Sequence, residues 1–454
     1  MCYCSKRKGQ LKGHRLDRFL TYGRKDRNEG NKGELYKLKV NRVEQHLIKK
    51  NNIFYSLIDE LCFKSKNVYN YGNYIIRQEF IKTSKEKEEG TRENANWIRH
   101  NELAKICKTS DCYKELGSRA SQAILRKLDK NWKSFFSSIK DYNKNPSKFV
   151  SKPKMPKYLD TEKGRCELIQ NNQQFKIKEN YIYFSWSPLK VMNNIFKTKI
   201  PIDAKLMQIR FVPKNENYVM EVVYEIEIPE IVSKNKRIAS IDLGINNLLT
   251  ITTNCGIEPI VINGKPLKSI NQYYNKEKAK IQTHLKTRYN KDWSNKIQKL
   301  TIKRNNKVKD YIHKTTATII NFCIENKIDT LVCGYNSGWK QESNMGKRNN
   351  QKFINIPHAT IIQQLTYKCE NTGIIFKTTE EAYTSGTSFL DGEEPVEKNY
   401  NKDRRVHRGL FVSNEGININ ADVNGSYQIM KKVFPEAIKH TTHIGLHPTI
   451  INLT

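Results

Sequence analysis

One strand constrains this chain more than any other segment. Residues 237–244 read Arg-Ile-Ala-Ser-Ile-Asp-Leu-Gly, an apolar run that carries a carboxylate and ends on a glycine. Strands disfavour aspartate, and burying one forfeits its hydration. Asp242 is therefore either an edge residue bonded to its own turn or a carboxylate held rigidly for a metal. After Ile245-Asn246-Asn247 a second apolar run, 248–253, follows closely enough to make a hairpin with the first.

The elements expected next are a long, highly charged helical stretch from about Leu267 to Lys309 and a more apolar one from Ile312 to Ile324. A strand at 330–334 follows, then a helix from about Ala359 to Glu370 stopped by Gly373. A strand at 374–378 runs into Glu380-Glu381, and Asn420-Ala421-Asp422 opens a last helix. Hairpin, helix, strand, helix, strand, helix is the order of an α/β fold of RNase H type. Asp242, Glu381 (with Glu380 as the alternative) and Asp422 then come from three separate elements. Phosphodiester hydrolysis uses such a set: two Mg²⁺ ions about 4 Å apart activate water and stabilise the leaving oxygen. Mg²⁺, or Mn²⁺ in its place, takes hard oxygen ligands and keeps waters of its own. Asp422 near a helix start is favoured as an anion, although aspartate is also a common plain cap.

The N-terminal half reads differently. Residues 1–36 are a basic leader with few apolar positions, and 38–48 alternate like a strand. Ile53, Phe54, Leu57, Ile58, Leu61 and Cys62 begin a helical stripe that continues towards Phe80, with a charged loop or solvated helix end at 82–93. A second helix is expected from about Ser118 to Ile139. Its outer face, Arg119, Gln122, Arg126 and Lys130, is either solvated or set for phosphate. Lys152, Lys154 and Lys157 alternate with prolines in an extended linker, and Arg77 and Gln78 on the first helix complete the nucleic-acid candidates. Short strands between 167 and 228 suggest a small β-barrel or sandwich that the strand near Leu38 could join, with the two helical segments inserted. Lys234-Asn235-Lys236 opens a new domain.

Charge identifies the partner class. Lysine and arginine number 80 against 46 aspartates and glutamates, a formal net charge of +34. An excess of this size repels itself and calls for a polyanion. With no apolar run of membrane length and no signal peptide near Met1, nucleic acid is preferred to a membrane surface. Ten scattered cysteines without a C-x-x-C pair fit a reducing, cytoplasmic setting, with the protein associated with the nucleoid.

At these residues the chain resembles the TnpB family of transposon-encoded proteins, relatives of the type V CRISPR effectors. The resemblance runs from about Leu38 to Lys432. It is carried by I-D-L-G-I-N-N at 241–247, G-Y-N-S-G-W-K-Q at 334–341, N-Q-K-F-I-N-I-P-H at 350–358, E-E-A-Y-T-S at 380–385, R-G-L-F at 408–411 and N-A-D-V-N-G-S at 420–426. It implies a β-barrel wedge domain (37–50 and 151–233) interrupted by a helical recognition domain (51–150). A RuvC nuclease domain (234–435) and a tail (436–454) follow. It also implies a bound guide RNA and double-stranded DNA cut at one RuvC site beside a short flanking motif; the oligomeric state stays open, with a monomer favoured. Two departures stand out. Many relatives carry the middle carboxylate directly after the strand that here ends on Gly334, and Glu380-Glu381 resembles the relocated glutamate of a subgroup, Glu381 being preferred. The usual four-cysteine zinc ribbon is missing: 386–418 holds no cysteine and His407 is its only histidine, so no structural zinc is expected.

Two rival readings remain at this level. A guided DNA-binding repressor that no longer cuts would have lost RuvC carboxylates, whereas Asp242 and Asp422 are both present. A cut-and-paste transposase would order its acids Asp, Asp, Glu, whereas this chain reads Asp, Glu, Asp.

Overall fold

The computed structural model describes residues 37–229, 236–336, 356–407, 409–437 and 444–453. The basic leader, the Lys234-Asn235 break, Arg408 and most of the motifs at 334–341 and 350–358 lie outside these residues. The described chain divides into two compact units, one over Lys39–Glu227 and one from Ile228 onward.

In the first unit, β1 (Lys37–Ile48) is followed by α1 (Tyr55–Glu88), α2 (His100–Cys107), α3 (Asp111–Leu116) and α4 (Ser118–Lys144). Strands β2 (Leu168–Asn171), β3 (Phe175–Lys178), β4 (Tyr181–Phe184), β5 (Lys205–Lys214) and β6 (Asn217–Pro229) come next. Helix α1 runs on to Glu88, so of the two readings of 82–93 its first part is a solvated helix end. Among the described residues, hydrogen bonding joins the strands as a four-stranded sheet, β1-β6-β5-β2, and a separate β3-β4 pair. The helices cross closely at Gly72, where a Cβ would lie 2.8 Å from Leu125 Cδ2. Trp132 is buried beside them and donates to Asn73 Oδ1 at 3.0 Å, so its indole N–H is satisfied inside the core. Residues 152–161 have no regular structure and are fastened along α1. Lys66, Asn70, Asn73 and Arg77, one stripe at helical spacing, donate to the carbonyls of Thr161, Leu159 and Pro156. Those carbonyls belong to a segment whose prolines keep it out of any ladder, so the side chains of α1 supply partners that secondary structure cannot.

In the second unit, β7 (Ile238–Leu243), β8 (Asn247–Thr253) and β9 (Ile260–Asn263) form an antiparallel meander. Helices α5 (Lys265–Tyr289) and α6 (Asn295–Glu325) lead to β10 (Thr330–Gly334), α7 (His358–Thr372) and β11 (Ile375–Thr379). A short hairpin, β12 (Leu410–Val412) and β13 (Asn418–Asn420), precedes α8 (Ala421–Val433) and β14 (Thr449–Ile451). The sheet order is β11-β10-β7-β8-β9-β14, with β10 parallel to β7, β11 parallel to β10, and β14 parallel to β9. Strands β2, β9, β12, β13 and β14 and helices α2 and α3 have no counterpart in the sequence reading.

Strand β7 is buried on both faces, and its two-residue alternation separates them. Ala239, Ile241 and Leu243 join the core that includes Ile319, Ile361 and Leu365 of α6 and α7. Ile238 packs instead with Val332, Ile429 and Met430, beneath α8. Asp242 has the parity of Ile238 and Ser240, so it faces α8.

Candidate active site and cationic groove

Helix α8 is clamped to the sheet by buried hydroxyls. Ser240 Oγ donates to Ser426 O at 2.7 Å, and Ser426 Oγ donates to Ser240 O at 2.9 Å. Thr252 Oγ1 lies 2.9 Å from both Ser240 Oγ and Ser426 Oγ. These bonds fix the first turns of α8 over β7, two residues before Asp242. Gly425 completes the fit, because a Cβ there would lie 3.0 Å from Asp242 Oδ2. The alanine-sized gap in the helix is where the carboxylate sits.

The third carboxylate reaches the same place from β11. Cys333 pairs with Ile241, so the next residues along these parallel strands are Gly334 and Asp242. Gly334 pairs with Thr379 on its other side, and Glu381 follows two residues later. Glu381 then folds back across the sheet end: a Cβ on Gly334 would lie 2.5 Å from Glu381 Oε1 and 2.6 Å from its Cγ. Its backbone N–H donates to Asn336 Oδ1 at 2.8 Å, which pins the turn after β11. Glu381 is partly buried, whereas Glu380 is exposed. The missing side chain at 334 and the displaced glutamate at 381 thus occupy one volume.

Asp422 stands in the first turn of α8, where the side chain of Asn420 caps its amide. Asn247 Nδ2 donates to Asp422 Oδ2 at 2.6 Å, and Arg405 lies 3.3 Å from Oδ1. Electrostatics tie the three acids together. Burial raises the Asp242 carboxyl well above its usual range, and the negative charges of Glu381 and Asp422 add to this while Arg405 opposes it. Burial also raises Glu381, against a backbone hydrogen bond from Leu243. Glu381 Oε1 is buried without a hydrogen-bond partner, an orphaned acceptor in a site of like charges. Among the described residues no three His, Cys, Asp or Glu side chains are gathered tightly enough to hold one ion as they stand. The donor set nonetheless fits a hard divalent cation, since all three groups are carboxylates and one oxygen lacks a partner. Asn247, Gly425 and Ser426 stand inside the motifs that mark the site in sequence. Arg405 carries no such signal, because only the folded chain brings it to Asp422.

The nucleic-acid candidates lie in the first unit. Arg119, Arg126 and Lys130 are exposed on one face of α4 with Gln122 half-buried among them, and Gln78 is exposed on α1. Arg77, Lys152, Lys154 and Lys157 line a groove of about 440 Å³ whose floor is Phe80, Phe135, Ile139 and Met155. The Arg77 guanidinium is already engaged there, donating to Pro156 O and stacking 4.7 Å from the Tyr158 ring centre.

A meander followed by two parallel strands, with acidic residues from β7, the end of β11 and the start of α8 at its centre, makes this unit an α/β domain with three carboxylates at one sheet end. Comparisons agree. A family described as a probable transposase (OrfB_IS605) matches residues 221–340, and the Cas12f1-like TNB domain matches 358–429. The TnpB-like protein ORF457 of Acidianus two-tailed virus is 23% identical over 439 residues, covering 88% of each chain. Among solved structures the chain is similar to a Cas12f1–sgRNA–target DNA complex, with 16% identity, 82% of each chain covered and a TM-score of 0.49. It is also similar to CasPhi-2 (Cas12j) bound to crRNA and phosphorothioate-DNA, with 8% identity, 90% and 93% covered and a TM-score of 0.37.

Proposed function

We propose that this protein is an RNA-guided DNA endonuclease that hydrolyses phosphodiester bonds at one site built from Asp242, Glu381 and Asp422. The observation that carries the reading is the placement of Glu381 over Gly334 beside Asp242, which restores a third carboxylate to a sheet end that lacks its own. These three side chains would hold Mg²⁺, or Mn²⁺, which when bound supplies activation of water and stabilisation of the leaving oxygen. The chain's own part is positional. The Ser240–Thr252–Ser426 hydroxyls hold α8 against β7, Asn336 holds the Glu381 turn, and Asn247 orients Asp422. Base pairing with the guide would select the target, while the protein holds backbones and reads a flanking motif. The exposed cations of α4 and the Lys152–Lys157 linker are the surfaces for those backbones. The likeness to the TnpB-like protein ORF457 and the Cas12f1-like TNB match support the same reading.

The test is to purify the protein with its RNA, sequence that RNA, and assay cleavage of matching double-stranded DNA in Mg²⁺. Asp242→Ala, Glu381→Gln and Asp422→Asn should each abolish cutting and leave guided DNA binding intact, while Glu380→Gln should cut like the unmodified protein. Full cleavage by Asp242→Ala would sink the site assignment, and recovery of no discrete RNA would remove the guided reading.

A further inference from the structure

Helices α5 and α6 form an arm that the catalytic site does not use. They are antiparallel: Tyr274 bonds Thr301 at 3.0 Å and Arg304 bonds Asn271 at 2.7 Å. Asn290 in the left-handed region at φ 47° ends α5, and Ser294 caps α6. Between Asn271 and Ile297 no residue is buried, so this part of the arm has no core beyond the contact of one helix with the other. A 25-residue helix spans about 37 Å, which carries the tip far from the base. The base is anchored at the turn beside the site, where Lys268 bonds Asn246 and the Gly264 amide donates to Asn246 O.

What the arm presents outward is charge and aromatic surface. From Lys265 to Lys309 basic residues outnumber acidic ones 14 to 2. The two acids, Glu277 and Asp292, are taken by Lys280 and Lys286. At the tip Tyr289 and Trp293 are 59% and 48% exposed, and Tyr273 lies 62% exposed along α5. An arm of this kind gains little from burial and is opposed by its own charge, so a polyanion must complete it. The rings point to the kind of polyanion. Paired DNA keeps its base faces stacked inside the duplex, whereas unpaired loop nucleotides of a folded RNA offer theirs to aromatic side chains.

We propose that the α5–α6 arm is an RNA-docking surface, with basic helix faces tracking phosphates and Tyr289 and Trp293 stacking on unpaired nucleotides at its tip. The partner is a folded RNA held permanently, because the arm's charge needs neutralising whether or not a DNA target is present. This rests on the reading of the protein as RNA-guided.

Binding of the co-purified RNA can be measured against salt for three proteins: unmodified, Tyr289→Ala/Trp293→Ala, and Arg288→Gln/Lys291→Gln/Lys296→Gln. All five side chains are exposed, so equal melting temperatures are expected. The aromatic variant should lose at least tenfold in RNA affinity at an unchanged salt slope, whereas the charge variant should show a shallower slope. Ultraviolet crosslinking should place RNA on the peptide around Trp293. If both variants bind RNA like the unmodified protein, the arm is not an RNA surface and the guided reading survives. If they keep RNA but lose affinity for target DNA, the surface belongs to DNA and the proposal is overturned. If the unmodified protein binds no RNA at all, both readings fall together.

Discussion

At the scale of single residues, the site stores repulsion that a metal or a substitution should release. The Asp242 carboxyl is raised above its ordinary 3.8 by burial and by its two acidic neighbours. A carboxyl whose folded value exceeds its unfolded one favours folding when protonated, and this contribution is lost as pH climbs from about 4 through the raised value. Near pH 8, without divalent ions, Asp242→Asn should therefore have a higher Tm than the unmodified protein, while cutting nothing. Scanning calorimetry of both proteins in chelator decides it; a lower Tm for Asp242→Asn would show that the ionised carboxylate is well compensated. A second test concerns the shared volume at Gly334. Gly334→Ala should push Glu381 aside and cost at least 100-fold in cleavage rate with guided DNA binding retained. Gly334 and Glu381 each stood out in sequence as departures, one a missing acid and the other a surplus acid in a pair. Their occupation of one space could not be read there, because 46 intervening positions separate two residues that only the parallel pairing of β10 and β11 brings together.

At the scale of elements, two substructures carry the positioning. The clamp of α8 depends on three buried hydroxyls, so Ser426→Ala should remove the donor to Ser240 O and one partner of Thr252 Oγ1, while Ser240 Oγ keeps the carbonyl of residue 426. A loss of about 1–3 kcal/mol and a fall in cleavage are expected, with no change in RNA binding. Urea denaturation beside a cleavage assay checks both. The second substructure is the segment after Glu381, which holds no cysteine and is fastened otherwise. Arg404 lies 2.7 Å from Glu393 and 3.7 Å from Asp391, all largely buried, and Phe389 stacks on Tyr427 at 4.6 Å. Removing the cation strands two acids, so Arg404→Met should destabilise this unit by about 3–5 kcal/mol, visible as a lower Tm and faster proteolysis between 383 and 412. Elements with strong periodicity were legible: α1, α4, α7, the β7–β8 hairpin and the start of α8 follow their apolar patterns. The highly charged helical stretch expected from Leu267 to Lys309 holds a reversal at Asn290 and Ser294 that the sequence pattern hides, because charged residues on every face leave no apolar stripe to show it. Strands β9 and β14, of four and three residues, are too short for alternation to register.

At the scale of the whole molecule, net charge was the plainest feature of the sequence, and it also predicts how the protein should respond to salt. A formal +34 over 454 residues opposes folding through self-repulsion when no polyanion is bound. Added salt screens that repulsion, since the Debye length falls from about 10 Å at 0.1 M to about 3 Å at 1 M. The RNA-free protein should therefore gain thermal stability as NaCl rises. The RNA-bound protein should behave in the opposite way. Its RNA is itself a stabilising ligand that binds the folded state, and salt weakens that binding steeply through counterion release. Its Tm should start higher at low salt, fall as NaCl rises, and meet the RNA-free curve where the RNA dissociates. Melting both preparations over the same NaCl series reads the two slopes directly. Parallel slopes would mean that the positive charge is compensated within the fold, and the argument from charge to a resident polyanion would lose its basis. Opposite slopes would tie the excess of lysine and arginine to one physical role, that of a chain whose folded state is completed by nucleic acid.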